Sequence, residues 1–304
     1  MATLPLDSCA KTSLAAMNRQ LNISAADIAA ETYDDKIIEI VNAVSAKITT
    51  MLNGREVCAK DYVAWMDGQG ADEFVVPQFP IIRVNVLATG CAKAMTVQYT
   101  GSNARATAQV TAEGLLLTSW GTSGATAVSK AWADFETIGE LVTEINDNIA
   151  DWTAVLTADG PSKWLRPAGG RDAKTSAMAL DYPDDIGHEF EAKYDTGLIQ
   201  FRGRGSGAMR PTDGMGLGGT HLAGETPLGG LRVMLDYRAG FETTPADIEQ
   251  VAREMTAEVF DLSYRDGSVK SESLGGYSYT LVDTVATSGR WADVLARYER
   301  EVLA

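Results

Sequence analysis

Apolar residues recur along residues 34–52 at alternating steps of four and three, as Ile37, Val41, Val44, Ile48 and Met51. That spacing draws one stripe along an amphipathic helix. Asp34 or Thr32 can accept from its first amides, and Gly54, after Asn53, can take the left-handed conformation that closes its far end. A shorter helix is predicted over 12–20 from Leu14, Ala15 and Met17. Another is predicted over 138–152 from Ile138, Leu141, Ile145, Ile149 and Trp152, with Asp134 or Thr137 at its start. Thr243-Thr244-Pro245 places hydroxyls at a cap and proline at a first helical position. The helix that follows, over 245–264, carries Ile248, Val251, Ala252, Met255, Val259 and Leu262 on one side. A last helix over 290–303 has Trp291, Val294, Leu295, Tyr298 and Val302 as its stripe, which needs a partner unless it folds back on its own domain.

Period-two patterns fill much of the remainder. Residues 62–66 and 73–76 flank Asp67-Gly68-Gln69-Gly70 and read as a hairpin, and 81–87 and 231–237 read as strands. From 88 to 230 threonine, serine, alanine and glycine rise, and alternation over 95–99, 108–111 and 114–118 makes this stretch mostly β. Within it, 203–230 holds too many glycines for a regular element and reads as a long mobile loop.

Composition narrows the class. The 304 residues, 45% hydrophobic and 22% charged, fit an ordinary soluble globular chain of one or two domains. No apolar run approaches the roughly 20 residues of a spanning helix, and the first residues lack a signal-peptide pattern, so no membrane is expected and the product is expected in the cytosol. Cys9, Cys58 and Cys91 are an odd number at wide spacing, which fits neither a disulfide framework nor a metal pair, and they read as free thiols. The net charge of -15 opposes wrapping nucleic acid, whose affinity for protein comes from clustered Lys and Arg. An acidic wall suits a channel through which DNA slides without binding, although acidity also serves simple solubility.

Catalytic patterns are weak. His188 and His221, the two histidines, have no HxH, HExxH or Cys/His neighbour. Gly203-Arg204-Gly205-Ser206-Gly207 approaches a nucleophile elbow with its serine out of register. Residues 214–219 match GxGxxG but follow Arg210-Pro211 and precede Pro227, outside a strand-to-helix context. Asp34-Asp35 and Asp184-Asp185 are ordinary turn and cap acids, with acid–base chemistry using Asp184, Asp185 or His188 as a weaker reading. Trp120, Trp132, Trp152 and Trp164 could serve as stacking platforms for a glycan, or fill the core of the β-rich segment. No catalytic, cofactor or metal residues are expected.

Two stretches resemble the head-tail connector (adaptor) family of tailed bacteriophages. The first is 13–55, SLAAMNRQLNISAADIAAETYDDKIIEIVNAVSAKITTMLNGR, continuing through Tyr62, Gly68-Gln69-Gly70 and Phe79-Pro80-Ile81-Ile82-Arg83-Val84. The second is 231–280, with LRVMLDYRAGF, PADIEQVAREMTAEVF and VKSESLGGYSYT. The resemblance implies an α+β fold, a helical connector core of long amphipathic helices with a small β-hairpin region, carrying an inserted β-rich domain. Core would be 1–87 and 231–289, insertion 88–230, and portal-binding tail 290–304. By the same resemblance the protein is a structural virion protein, not an enzyme. It would form a homo-oligomeric ring, of twelve subunits in the family, in the neck between capsid and tail, bound to the portal protein and to a tail or neck completion protein. DNA would pass through without specific binding.

Portal or subunit contacts are then expected at Leu274, Tyr277, Tyr279, Trp291, Val294, Leu295 and Tyr298. Between 242 and 273 eight acids stand against three bases, so Glu249, Glu254, Glu258 and Asp261 are expected to line the channel. The alternative is a carbohydrate- or host-surface-binding module carried by 88–230.

Overall fold

The computed structural model describes residues 4–23, 34–69, 73–122, 124–201, 229–263, 271–274, 277–280 and 288–299. In chain order the helices are α1 (Leu14–Gln20), α2 (Asp34–Met51), α3 (Ile138–Asn148), α4 (Ala246–Ser263) and α5 (Ser288–Leu295). The strands are β1 (Lys60–Gln69), β2 (Glu73–Val75), β3 (Ile81–Thr89), β4 (Ala92–Tyr99), β5 (Arg105–Val110), β6 (Gly114–Gly121), β7 (Gly124–Ala131) and β8 (Trp152–Leu156). They continue as β9 (Ala168–Asp172), β10 (Met178–Tyr182), β11 (Asp185–Ile186), β12 (Phe190–Lys193), β13 (Leu198–Phe201), β14 (Gly229–Ala239), β15 (Ser271–Leu274) and β16 (Tyr277–Thr280).

The expectation of a helical connector core is overturned: the chain is β-rich, and among the described residues antiparallel sheets hold more of the regular backbone than helices do. The reason lies in long-range pairing. β1 and β2, expected as the two arms of a hairpin, stand in different sheets. β1 lies beside β14 in the order β1-β14-β3-β11, and β2 lies beside β13 in the order β12-β13-β2. A local turn signal says nothing about such partners, which are set by which apolar faces can be covered together. β14 is also not half-exposed, since residues 233–237 are buried without interruption, as befits a strand inside a sheet covered on both faces.

Backbone packing divides the chain into two units. The larger comprises Asp61–Pro77 and Arg83–Arg238. Its core is one apolar cluster in which Ile138, Leu141 and Ile145 of α3 meet Met95 and Val97 of β4, Leu115 and Leu117 of β6, and Leu180 of β10. Two antiparallel sheets, β7-β6-β5-β9 and β10-β4-β8, contribute to it. A capping box starts α3: Thr137 Oγ1 accepts from Glu140 N at 3.2 Å, and Glu140 Oε2 accepts from Thr137 N at 3.2 Å. Asp134 lies in the preceding 3-10 turn. The helix stops at Asn148, earlier than its periodicity predicts. Ile149 turns extended and Asp151 takes a positive φ of 66°, so Trp152 opens β8 yet stays buried in the same core.

The smaller unit comprises Met1–Lys60, Gln78–Ile82 and Ala239–Ala304. Ile37, Val41, Val44 and Ile48 of α2 are all buried and pack with Ile248, Val251, Ala252 and Met255 of α4. At roughly 1.5–3 kcal/mol for each large side chain taken from water, this seam outweighs helix propensity in holding both helices. Ser13 caps α1 by accepting from Ala16 N at 3.2 Å. Asn53 and Gly54, with φ of 53° and 76°, close α2, and Gly54 N reaches Thr49 O at 3.0 Å. Asp34 is the first residue of α2 rather than its cap, and Thr32 lies outside the described residues. The stripe expected on α4 veers at its end: Val259 and Leu262 are exposed, while Thr256 and Phe260 are buried in their stead.

The thiols also differ from expectation. Cys9 and Cys58 form a disulfide with Cα atoms 5.4 Å apart, and Cys91 alone is free and exposed. Spacing along the chain could not reveal the pair, because the N-terminal segment runs back along α2 through Asp7 N to Asn42 Oδ1 (2.9 Å) and Asn42 Nδ2 to Pro5 O (3.2 Å).

Candidate functional site

The terminal segment, expected to present a portal-facing stripe, is laced onto its own unit. Trp291 and Leu295 are buried, and Val294 and Tyr298 are partly so, against the cluster formed by α2 and α4. The indole Nε1 of Trp291 donates to Glu254 Oε2 at 3.0 Å. The Tyr298 hydroxyl donates to the Asp247 carboxylate at 2.9 and 3.0 Å, and its ring meets Phe241 edge-on at 5.9 Å. Burial, then the Asp247 carboxylate, push the Tyr298 phenol above its ordinary range. Arg55, itself buried, donates to Tyr298 O at 2.7 Å and to Phe79 O at 2.8 Å, with its guanidinium over the Phe79 ring. Asn53 Nδ2 adds a bond to Glu299 Oε1 at 2.7 Å.

Leu274, Tyr277 and Tyr279 stand in the β15/β16 hairpin, where Leu274 faces Tyr277 across the ladder and Glu272 faces Tyr279. The four acids expected to line a channel are all on α4, but they do not share one direction. At about 100° per residue, Glu254, Glu258 and Asp261 fall within about 60° of one another, and Glu249 lies well around the helix from them. Glu249 pairs with Arg253 at 4.0 Å. Glu254 accepts from both Trp291 and Gln250 Nε2 (3.0 Å), so its carboxylate serves to seat α5. Asp261 is exposed.

His188 sits between Thr89 and Asp185, a combination that invites comparison with a nucleophile–base–acid relay. Its Nε2 lies 2.8 Å from Thr89 Oγ1 and 3.4 Å from Asp185 Oδ2. Both partners approach the same ring nitrogen, so the imidazole cannot take a proton on one side while being oriented from the other. Its ring is covered by Phe201, 4.9 Å away between centroids, and the arrangement is a packed polar junction. A hollow of about 730 Å³ lies beside the start of α3. Three of the four carboxylates lining it already have duties. Asp159 Oδ1 accepts from Gly139 N and Gly160 N, Glu140 completes the capping box, and Glu144 pairs with Lys130 at 2.6 Å.

The tryptophans of the larger unit are engaged as well. Trp152 is buried edge-on to Tyr99, and Trp132 donates to Thr111 O at 3.3 Å. Trp164 stacks on Tyr182 and donates to Asp236 Oδ2 at 2.8 Å, and Trp120 lies under the Arg105 guanidinium. Trp152 is thus part of the core, and one ring face each of Trp164 and Trp120 is covered.

Sequence patterns did not single out Asp236. It is buried in β14 and receives Asn85 Nδ2 at 2.9 Å, Trp164 Nε1 at 2.8 Å and Lys163 Nζ at 2.6 Å. Burial works to raise its carboxyl, but these donors outweigh it and hold the group below the ordinary carboxylate range. Its neighbours are scattered in sequence, so only its position between apolar residues of a buried strand could have drawn attention. Residues 203–228 of the glycine-rich run, with the GxGxxG match, Ser206 and His221, lie outside the described residues, and Gly229-Gly230, expected in that loop, open β14 instead.

No protein-family model matches the sequence, and no curated protein does. Among solved structures the chain is similar to a protein of the "neck of empty GTA particle computed with C6 symmetry", with 14% identity and a TM-score of 0.38 over 100% of this chain and 96% of that one. It is likewise similar to a protein of the "virion of native gene transfer agent (GTA) particle", with 14% identity and a TM-score of 0.36 over the same shares. A likeness this distant assigns neither fold nor function.

Proposed function

We propose that this chain is a structural virion protein, a head-tail connector subunit in the neck of a tailed-phage-like particle. The observation that carries the reading is the meeting of the two stretches that resemble the connector family. They lie toward opposite ends of the chain, yet α2 of the first and α4 of the second share one apolar cluster in the smaller unit. In this reading the subunits form a ring, of twelve by resemblance, beneath the portal, and a tail or neck completion protein docks below. The acidic chain, with net charge -15, lets DNA pass without binding it. Asp261 and Glu258, on the outer turns of α4, face the lumen.

Portal contact falls to the β15/β16 hairpin with Leu274, Tyr277 and Tyr279, while Trp291, Val294, Leu295 and Tyr298 anchor the segment that carries it. Electron microscopy of the protein mixed with portal rings of the same particle tests this. A ring stacked coaxially on the portal is expected from the wild type, and decoration should fall at least tenfold for the Tyr277→Ala/Tyr279→Ala double variant. A wild-type protein that stays monomeric and leaves portal rings bare would sink the reading. Full decoration by the double variant would leave the ring but remove the hairpin from it.

A further inference from the structure

We propose that Cys9, Cys58 and Glu56 form a binding site for a thiophilic divalent cation, zinc above all, which is open when the Cys9–Cys58 disulfide is reduced. The two sulfurs and a Glu56 carboxylate oxygen all lie within 4.8 Å of one another. Tetrahedral zinc with Zn–S bonds of about 2.3 Å holds its sulfurs roughly 3.8 Å apart, so the ion fits between these groups with modest side-chain rotation. Water completes the fourth position.

The backbone on both sides of the site is fixed independently of the sulfurs. Cys9 N donates to Asp7 Oδ1 at 2.7 Å, and Lys11 N donates to Ser45 Oγ at 3.0 Å, which pins the first segment to α2. On the other side Phe241 N donates to Val57 O at 2.8 Å, Ala59 N donates to Phe241 O at 3.1 Å, and Glu56 N donates to Gln78 Oε1 at 2.9 Å. Reduction therefore frees two thiols on a scaffold that keeps them adjacent, a preorganised pair instead of two wandering side chains.

Charge selects the ligand. Lys11 is buried, 1% exposed, and its ammonium lies 3.5 Å from Glu56 Oε2. Two thiolates and one carboxylate carry three negative charges, and a divalent cation with the Lys11 ammonium carries three positive ones. Lys60 also lies 3.8 Å from Glu56 Oε1 but is 41% exposed, so water screens it, and the charges on the inward side, the Lys11 ammonium and the ion against the three ligands, balance. In the oxidised state Glu56 is paired with Lys11 on one oxygen and with the half-exposed Lys60 on the other. A monovalent ion would leave the cluster charged, and a hard cation would forgo the soft sulfurs.

The chemistry balances with a phosphine as reductant. The phosphine supplies two electrons and leaves as its oxide with oxygen from water, and each sulfur becomes a thiol. Zinc then enters as both thiols release their protons to solvent. The test uses the full chain with Cys91→Ser, so that no third thiol competes. Reduced and stripped of metal, it is titrated with cobalt(II), followed by displacement with zinc. One equivalent is expected to bind, with a thiolate-to-cobalt charge-transfer band that the oxidised chain lacks. Cys9→Ser and Cys58→Ser should abolish the band, and Glu56→Gln should weaken binding at least tenfold. Circular dichroism of the reduced wild type, with and without zinc, guards against misreading a misfolded variant. The proposal fails if the folded reduced chain takes up no metal, if the oxidised chain binds equally well, or if reduction unfolds the chain and zinc does not restore it.

Discussion

Asp236 shows how a single buried acid can be held ionised by its neighbours. Its carboxyl sits below the ordinary range in the folded chain, so it contributes stability above the unfolded carboxylate value near about 3.9, and that contribution is lost as pH falls through the folded value. Asp236→Asn is therefore expected to cost about 1–3 kcal/mol at neutral pH and to flatten the acid limb of the stability curve. Thermal melts from pH 3 to 7 check both. Thr256 is the opposite case, with a fully buried hydroxyl that has no hydrogen-bond partner among the described residues. Thr256→Val should raise stability by about 1 kcal/mol, since it removes an unpaid desolvation while keeping the shape. Gly240 has little freedom: its φ is +110° and a Cβ there would collide with the Cys58 carbonyl oxygen. Gly240→Ala should destabilise by about 2 kcal/mol or more, measured by urea titration.

Among the elements, α4 and α5 make the sharpest contrast between pattern and packing. The apolar period of α4 extends through Val259 and Leu262, but these are 43% and 39% exposed because α2 covers only the earlier turns and Phe260 takes the last place in the seam. Val259→Lys should change stability by less than about 0.5 kcal/mol. Trp291→Ala should cost about 3–5 kcal/mol by emptying the place where α5 sits on α4 and leaving Glu254 without its indole donor. Equal losses from the two variants in denaturant melts would contradict this account of the seam. For the same reason, deleting the terminal helix is a poor probe of portal contact, because it also strips a buried face.

Across the whole molecule two units with separate apolar clusters are expected to melt in two calorimetric transitions. Trp291→Ala should lower one and Asp236→Asn the other, while a single transition moved equally by both would argue against the division. The amino-acid pattern by itself determined the helices α2, α3 and α4, the closing turn at Asn53-Gly54, the cap choice that included Thr137, and the β character of the middle of the chain. Each of these depends on neighbours within a few residues: apolar period, hydroxyl before amides, glycine at positive φ. Tertiary structure alone decided that β1 and β2 part company, that β14 is buried on both faces, that α3 gives way before Trp152, and that strands outweigh helices in the fold. It also decided that Cys9 meets Cys58, that the buried Lys11 faces Glu56, and that the terminal stripe closes on its own unit. These depend on which distant surface arrives to cover a residue, and the free energy of that covering is carried by contacts between segments that no local spacing records.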